Sequence, residues 1–250
     1  ILAQIPEVQH YAKVDVEQIA NLSSTLINST HWLTLRDKIH HAFENENYDG
    51  IVITHGTNTI EETAYFLNLT VNTTKPVVLT GAQKPLSALS SDAPINLLNA
   101  IKVASSDTAH HKGVLVVLNE QISSARAVTK TNTYRLETFQ AWEQGYLGFV
   151  DPDDRVEFYQ SPVRKHTYLS EFAAMTINQL PEVDIVYSYA GARGHMIHAL
   201  IESDVKGIVV AGTGAGRCSA EEEKALAEAA KKDIKIVMSS RYGSGRVVPL

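Results

Sequence analysis

The chain has 250 residues, 44% hydrophobic and 20% charged, with a net charge of −6 and a single cysteine, Cys218. That length allows a substantial core in one large domain or two smaller ones. The mildly acidic balance without a basic run excludes a nucleic-acid-binding surface, no apolar run approaches the ~18 residues of a membrane span, and one cysteine excludes an intrachain disulfide.

Short apolar runs alternate with helical patterns along the first 150 residues. Ile51-Val52-Ile53 predicts a strand and residues 60–69 a helix. Pro76-Val77-Val78-Leu79 predicts a second strand, followed by a loop over 81–91. A helix then opens at Asp92, a suitable N-cap, with Pro94 in its first turn. Val114-Leu115-Val116-Val117-Leu118 is a third strand. Runs this uniformly apolar suit parallel strands covered on both faces, and the order strand, helix, strand predicts βαβ units. Residues 151–180 break the rhythm with Pro152, Pro162 and no long period, and read as a linker. Beyond it, strands are predicted over 185–189, 207–210 and 234–238, and Ser219-Ala220-Glu221-Glu222 is a capping box opening a helix that ends near Lys232. The fold class is therefore α/β: a larger, doubly wound, mostly parallel domain over 1–150, the linker, and a smaller α/β domain over 181–250.

In open α/β sheets ligands bind beyond the carboxyl ends of the strands. The stretch Thr54-His55-Gly56-Thr57-Asn58-Thr59 occupies such an end. Its hydroxyls suit a nucleophile or donors to a small polar ligand; helix capping is the plainer alternative. A hydroxyl nucleophile needs a base, and a lysine serves where burial lowers its pKa. Lys130 is the candidate, in Val128-Thr129-Lys130-Thr131-Asn132-Thr133, a short loop after the third strand. Gly212-Thr213-Gly214-Ala215-Gly216 lacks both dinucleotide and Walker spacing and reads as a close-approach turn. His195 and His198 have no further ligand beside them, and the His40-His41 and His110-His111 pairs read equally as solvated or locally bonded. Ser123 and Ser124 lack a nucleophile-elbow context. No metal or cofactor is implied.

Four stretches taken together resemble one family: ITHGTNTIEETAYFL, KPVVLTGAQKPLSALSSDAPINLLNA, GVLVVLNEQISSARAVTKTNTYRLETF and IVVAGTGAGR. They are similar, in order and over essentially the whole chain, to the bacterial-type L-asparaginases and glutaminase-asparaginases. The resemblance implies hydrolysis of a side-chain amide to a carboxylate and ammonia by threonine chemistry without a metal, in a homotetramer built as a dimer of dimers. It implies that Thr57 is the second catalytic threonine and that Lys130 bonds to it. Ser24 falls where the family holds the substrate α-carboxylate, and the backbone near Gly56 and Ala82 would line the same pocket. Gly191, in Tyr189-Ala190-Gly191, stands in an element that reaches a neighbouring subunit's site.

Several positions depart from the family pattern. Asn58 stands where the family has an aspartate and Thr25 where many members have a glutamine, both holding the substrate's α-ammonium. Ala127 replaces an aspartate before Val-Thr-Lys. The family's first catalytic threonine, on a Gly-Gly-Thr-Ile strand, and an acidic residue beyond Ser239-Ser240-Arg241 are not found between Ile1 and Leu250. The expectation is an asparaginase-type amidohydrolase acting on a small amide. The alternatives are an amidase for a substrate without a free α-amino group and a catalytically silent relative. A cytoplasmic protein is expected, with the periplasm as the alternative.

Overall fold

The computed structural model describes residues 2–248. The chain divides into two compact units, Ile1–Asn178 and Gln179–Leu250. The first unit carries, in chain order, α1 (Ser29–Glu44), β1 (Ile51–Thr54), α2 (Ile60–Thr70), β2 (Val77–Thr80), α3 (Ala93–Ala104), β3 (Val114–Leu118), β4 (Gln121–Ser124), β5 (Thr129–Lys130), β6 (Phe139–Gln140), β7 (Gly148–Val150) and β8 (Val156–Phe158). Six strands form one sheet in the order β1-β2-β3-β4-β7-β8. The first three pair parallel and the rest antiparallel.

Both faces of this sheet are covered, which explains its continuous apolar runs. Val77 and Leu79 of β2, and Val114, Val116 and Leu118 of β3, join Ile60, Ala64 and Leu67 of α2 and Ile39 of α1. The alternate residues Val78, Leu115 and Val117 pack with Ala100, Val103 and Ala104 of α3 on the other face. Each large side chain so buried contributes about 1.5–3 kcal/mol.

The antiparallel half arises from a two-residue hairpin. Leu118 pairs with Gln121 across Asn119 and Glu120, whose φ angles are 51° and 60°. Two left-handed residues give the turn whose twist matches its strands. The Asn96 Oδ1 accepts the Asn119 N–H at 3.0 Å and fixes that turn. The stretch between β3 and Lys130, expected as a short loop, thus contains a returning strand. Lys130 is reached only after Ala125 and Val128 have packed into the α2-side core. The segment expected as a linker holds β8, whose Val156 and Phe158 pack on the α3-side core; residues as far as Asn178 belong to the first unit. A three-residue strand is too short to declare a period.

Asp92 differs in detail from the expected cap. It occupies the N-cap position of α3 without a capping hydrogen bond from its side chain. Its carboxylate instead accepts from the Gln83 N–H at 3.0 Å, the Lys84 N–H at 2.8 Å and the Asn96 Nδ2 at 2.9 Å, clamping the loop that follows β2.

The second unit carries β9 (Val183–Tyr187), α4 (His195–Glu202), β10 (Gly207–Gly212), α5 (Ala220–Lys231) and β11 (Lys235–Ser240). Its three strands are parallel, in the order β11-β10-β9. Val186, Ile208 and Val210 pack against Ile197 of α4 and Ala225 and Ala229 of α5. The expected capping box is present: Ser219 Oγ accepts from the Glu222 N–H, and Glu222 Oε2 accepts from the Ser219 N–H. The same buried carboxylate accepts from Ser188 Oγ at 2.6 Å. Residues 212–216 form a tight turn in which the Thr213 N–H donates to the Arg217 carbonyl at 2.7 Å. His198 lies 3.6 Å from Glu228, a local ion pair when protonated.

Asp92→Ala removes three charge-assisted hydrogen bonds. It is expected to lower unfolding free energy by about 1–3 kcal/mol and to speed amide exchange at Gln83 and Lys84. Urea unfolding and hydrogen exchange measure the two effects; unchanged exchange at both amides would refute the clamp.

Candidate active site

The loop after β1 and the first turn of α2 are tied to two other parts of the first unit, β5 and the segment at Ser24. Thr57 Oγ1 lies 3.0 Å from Lys130 Nζ. The Thr59 hydroxyl donates to the Ser24 carbonyl at 2.8 Å. Glu61, in the first turn of α2, accepts from the Thr129 hydroxyl at 3.0 Å and from the backbone N–H of Lys130. Gly56 approaches Ser24 so closely that an added Cβ would stand 2.7 Å from its hydroxyl oxygen. Gly81, next to Ala82, lies against the His55 carbonyl, where a Cβ would come within 2.5 Å. Only glycine permits either approach.

Ser24, Gly56, Thr57, Asn58 and Lys130 therefore come together, with Ala82 following the glycine packed on this loop. Ser24 is buried, Thr57 and Lys130 are half-buried, and Asn58 is exposed. The Asn58 Oδ1 stands 3.4 Å from Lys130 Nζ, a long contact beside that of Thr57. Thr25 is exposed and its hydroxyl bonds to Ser23 at 2.9 Å, not to the Thr57 loop. Gly191 lies in the second unit with φ at 82° in an exposed turn.

Burial pushes the Lys130 ammonium below its ordinary pKa, and the neighbouring Glu61 carboxylate pulls it partly back. A lysine so displaced is a better proton acceptor at neutral pH than a solvated one.

Beneath the loop runs a chain of hydrogen bonds between residues far apart in the sequence. The Trp32 indole N–H donates to Thr63 Oγ1 at 2.9 Å, and Thr63 Oγ1 is 2.9 Å from His55 Nε2. His55 Nδ1 is 2.7 Å from the Gly56 carbonyl. A carbonyl only accepts, so this network assigns the proton to Nδ1, and Nε2 accepts from Thr63. Burial holds the His55 pKa below its ordinary value, in keeping with a neutral ring. Glu61 carries no signal of its contact in the sequence, since an acidic residue in a first helical turn ordinarily answers the helix dipole.

Family models match this chain over both units: "Asparaginase, N-terminal" over residues 1–164 and "Glutaminase/Asparaginase C-terminal domain" over 182–250. The chain belongs to the asparaginase family. It is 45% identical over 249 residues to L-asparaginase 2 of Bacillus subtilis, covering 100% of this chain and 66% of that protein. It is 42% identical over 241 residues to L-asparaginase 2 of Escherichia coli, covering 96% and 68%. The chain thus spans about two thirds of the length of these relatives. The crystal structure of a probable cytoplasmic L-asparaginase from Campylobacter jejuni superposes with a TM-score of 0.96 at 43% identity, covering 99% of this chain and 81% of that one. The α/β asparaginase architecture read from the sequence is the one observed.

The neutral His55 makes the asparaginase fold acid-sensitive. Burial lowers its folded pKa below the ordinary 6.5, so under acid the unfolded chain binds more protons. Its contribution is complete above that ordinary value and drains away as pH falls toward the lowered folded one. His40 and His166 are shifted in the same direction by burial. Urea midpoints are expected to decline from pH 7 through the acid range, and His55→Gln to flatten part of that decline. A parallel decline in both proteins would remove His55 from the account.

Proposed function

We propose that the protein is an asparaginase-type amidohydrolase, converting L-asparagine to L-aspartate and ammonia, with Thr57 and Lys130 as catalytic residues. The observation that carries this is the 3.0 Å approach of Thr57 Oγ1 to a lysine whose pKa burial has lowered. Such a pair can take a proton from an oxygen nucleophile directed at the amide carbon and return it to the departing nitrogen. The names of the relatives support the substrate.

Ser24, Thr25, Gly56, Asn58 and Ala82 are proposed to hold the substrate, and Gly191 to meet the site of a neighbouring subunit in a homotetramer. Ser24 and Gly56 are already in contact beside Thr57, which supports their share in one pocket. The cytoplasm is the proposed compartment, in line with the description of the Campylobacter jejuni relative. No helix among the described residues is long and apolar enough to cross a membrane.

A second reading, an amidase for substrates without a free α-amino group, is favoured by the neutral Asn58 at the position where the family has a carboxylate. Its carbonyl oxygen still accepts a hydrogen bond but brings no charge to an α-ammonium.

Lys130→Met in the full-length protein is expected to abolish amide hydrolysis while leaving the fold intact by circular dichroism. Activity surviving within about tenfold, roughly 1.4 kcal/mol of barrier, would refute the lysine's role. Asn58→Asp should raise kcat/KM for asparagine by about ten- to 150-fold, the worth of a hydrogen bond to a charged group. With succinamic acid, the same amide lacking the amino group, the rate should stay level or fall, since a second carboxylate beside Lys130 raises its pKa and leaves less of it as free amine at neutral pH. Equal gains on both amides would overturn the assignment of position 58 to the ammonium.

A further inference from the structure

β5 is a very short element with a demanding task. It is two residues long and pairs on one edge, Thr129 with Gln140 and Lys130 with Phe139. No strand among the described residues pairs with its other edge, where Glu61 of α2 stands. An unpaired N–H there would leave the Lys130 backbone without an anchor, and a four-methylene side chain magnifies any backbone displacement at its tip. The Glu61 side chain fills that place. One carboxylate oxygen takes the Lys130 N–H and the other takes the Thr129 hydroxyl, so two consecutive residues of β5 are held by one group. Glu61 is four residues after Thr57, on the stretch that runs straight into α2. The segment that presents the hydroxyl therefore also grips the backbone that presents the amine.

We propose that Glu61 is the positioning residue of the Thr57–Lys130 pair, its carboxylate acting as a substitute edge strand that fixes β5 against the first turn of α2. This rests on the reading of that pair as catalytic. Glu61 touches neither hydroxyl nor amine of the pair; it acts through the backbone of Lys130 and through charge. The groups facing Lys130 Nζ from the elements around it are the neutral Thr57 and Asn58, and Glu61 is the charged group that bears on it. The same carboxylate that steadies the lysine holds its ammonium form in favour, against burial.

Two substitutions separate the roles. Glu61→Gln retains an oxygen for the Lys130 N–H and an amide N–H for the Thr129 oxygen, but removes the charge. Glu61→Ala removes both. Side-chain NMR titration of Lys130, assigned by its loss in Lys130→Met, should move to lower pH in both variants. Backbone exchange at Lys130 should accelerate in Glu61→Ala and remain slow in Glu61→Gln. In the full-length protein, Glu61→Ala should reduce kcat by more than about tenfold with KM little changed, as expected when a reacting group is misplaced. Glu61→Gln should retain most of kcat and move the acid limb of its pH profile to lower pH. An unchanged Lys130 titration in Glu61→Gln would overturn the electrostatic role, and unchanged Lys130 exchange in Glu61→Ala the positioning role. If the unsubstituted protein hydrolyses no amide, the functional reading fails, while the titration and exchange still decide the role of Glu61.

Discussion

The site depends on the partial removal of one ammonium group from water. A threonine hydroxyl holds its proton far too tightly to give it to bulk solvent at neutral pH, so the proposed chemistry calls for a nearby amine able to take it. Burial of Lys130 supplies that ability, and Glu61 limits it. The two effects have different structural origins. Burial comes from the way the chain after β4 packs Ala125, Val128 and Phe139 against α2. The restraint comes from one carboxylate in the first turn of that helix. Both fall on a single side chain because α2 begins where the threonine loop ends.

The covered sheet supplies the rigidity. Thr54 and Thr80 are register partners at the carboxyl ends of β1 and β2, and the His55 N–H donates to the Thr80 carbonyl at 2.8 Å. The Thr80 hydroxyl turns inward to the Val117 carbonyl at 2.7 Å, joining a third strand. The loops leaving β1 and β2 therefore diverge from a hydrogen-bonded base. Beyond it, Gly81 packs on His55, and His55 is held through Thr63 to Trp32 of α1. The Thr57 loop is supported from the sheet below and from two helices, which is the stiffness the proposed catalytic pair would require.

What could be read from the sequence follows burial. The runs at 51–53, 77–79 and 114–118 are legible because both faces of their sheet are covered, which leaves no polar residue to blur the pattern, and 207–210 because it is the central strand of its own sheet. The α5 capping box was legible because its two partners are three residues apart in the chain. The antiparallel half of the first sheet was not: β4 reads Gln121-Ile122-Ser123-Ser124, β7 has three residues, and the turn between β3 and β4 uses Glu120 in a conformation that glutamate rarely takes. Helix α1 escaped for another reason. Its sequence mixes histidines and threonines with few apolar residues, and its N-cap is closed by His31 answering Asn28 in place of the usual glutamate. At the site, strand-end position and chemistry marked the hydroxyls over 54–59 and Lys130, and the resemblance singled out Thr57 among them. Glu61 and Trp32 act through partners about 70 and 30 positions away in the chain, and no local pattern announces a contact of that kind.

Asn58 takes its meaning from the same lysine. A carboxylate there would be the second negative group near Lys130 Nζ, after Glu61, and each makes the ammonium harder to deprotonate. An α-ammonium on the substrate would share the second carboxylate and relieve that effect, coupling substrate charge to the strength of the base. With a neutral amide at position 58 the coupling is broken. Lys130 remains as burial and Glu61 set it, whether or not the amide in the pocket carries a charged amino group. Recognition of that amino group then falls to other contacts, and the basicity of the lysine no longer reports which substrate has arrived. Under the proposed roles, a single oxygen-for-nitrogen exchange at an exposed position would alter selectivity and proton transfer together, because Asn58 Oδ1 and Lys130 Nζ lie 3.4 Å apart.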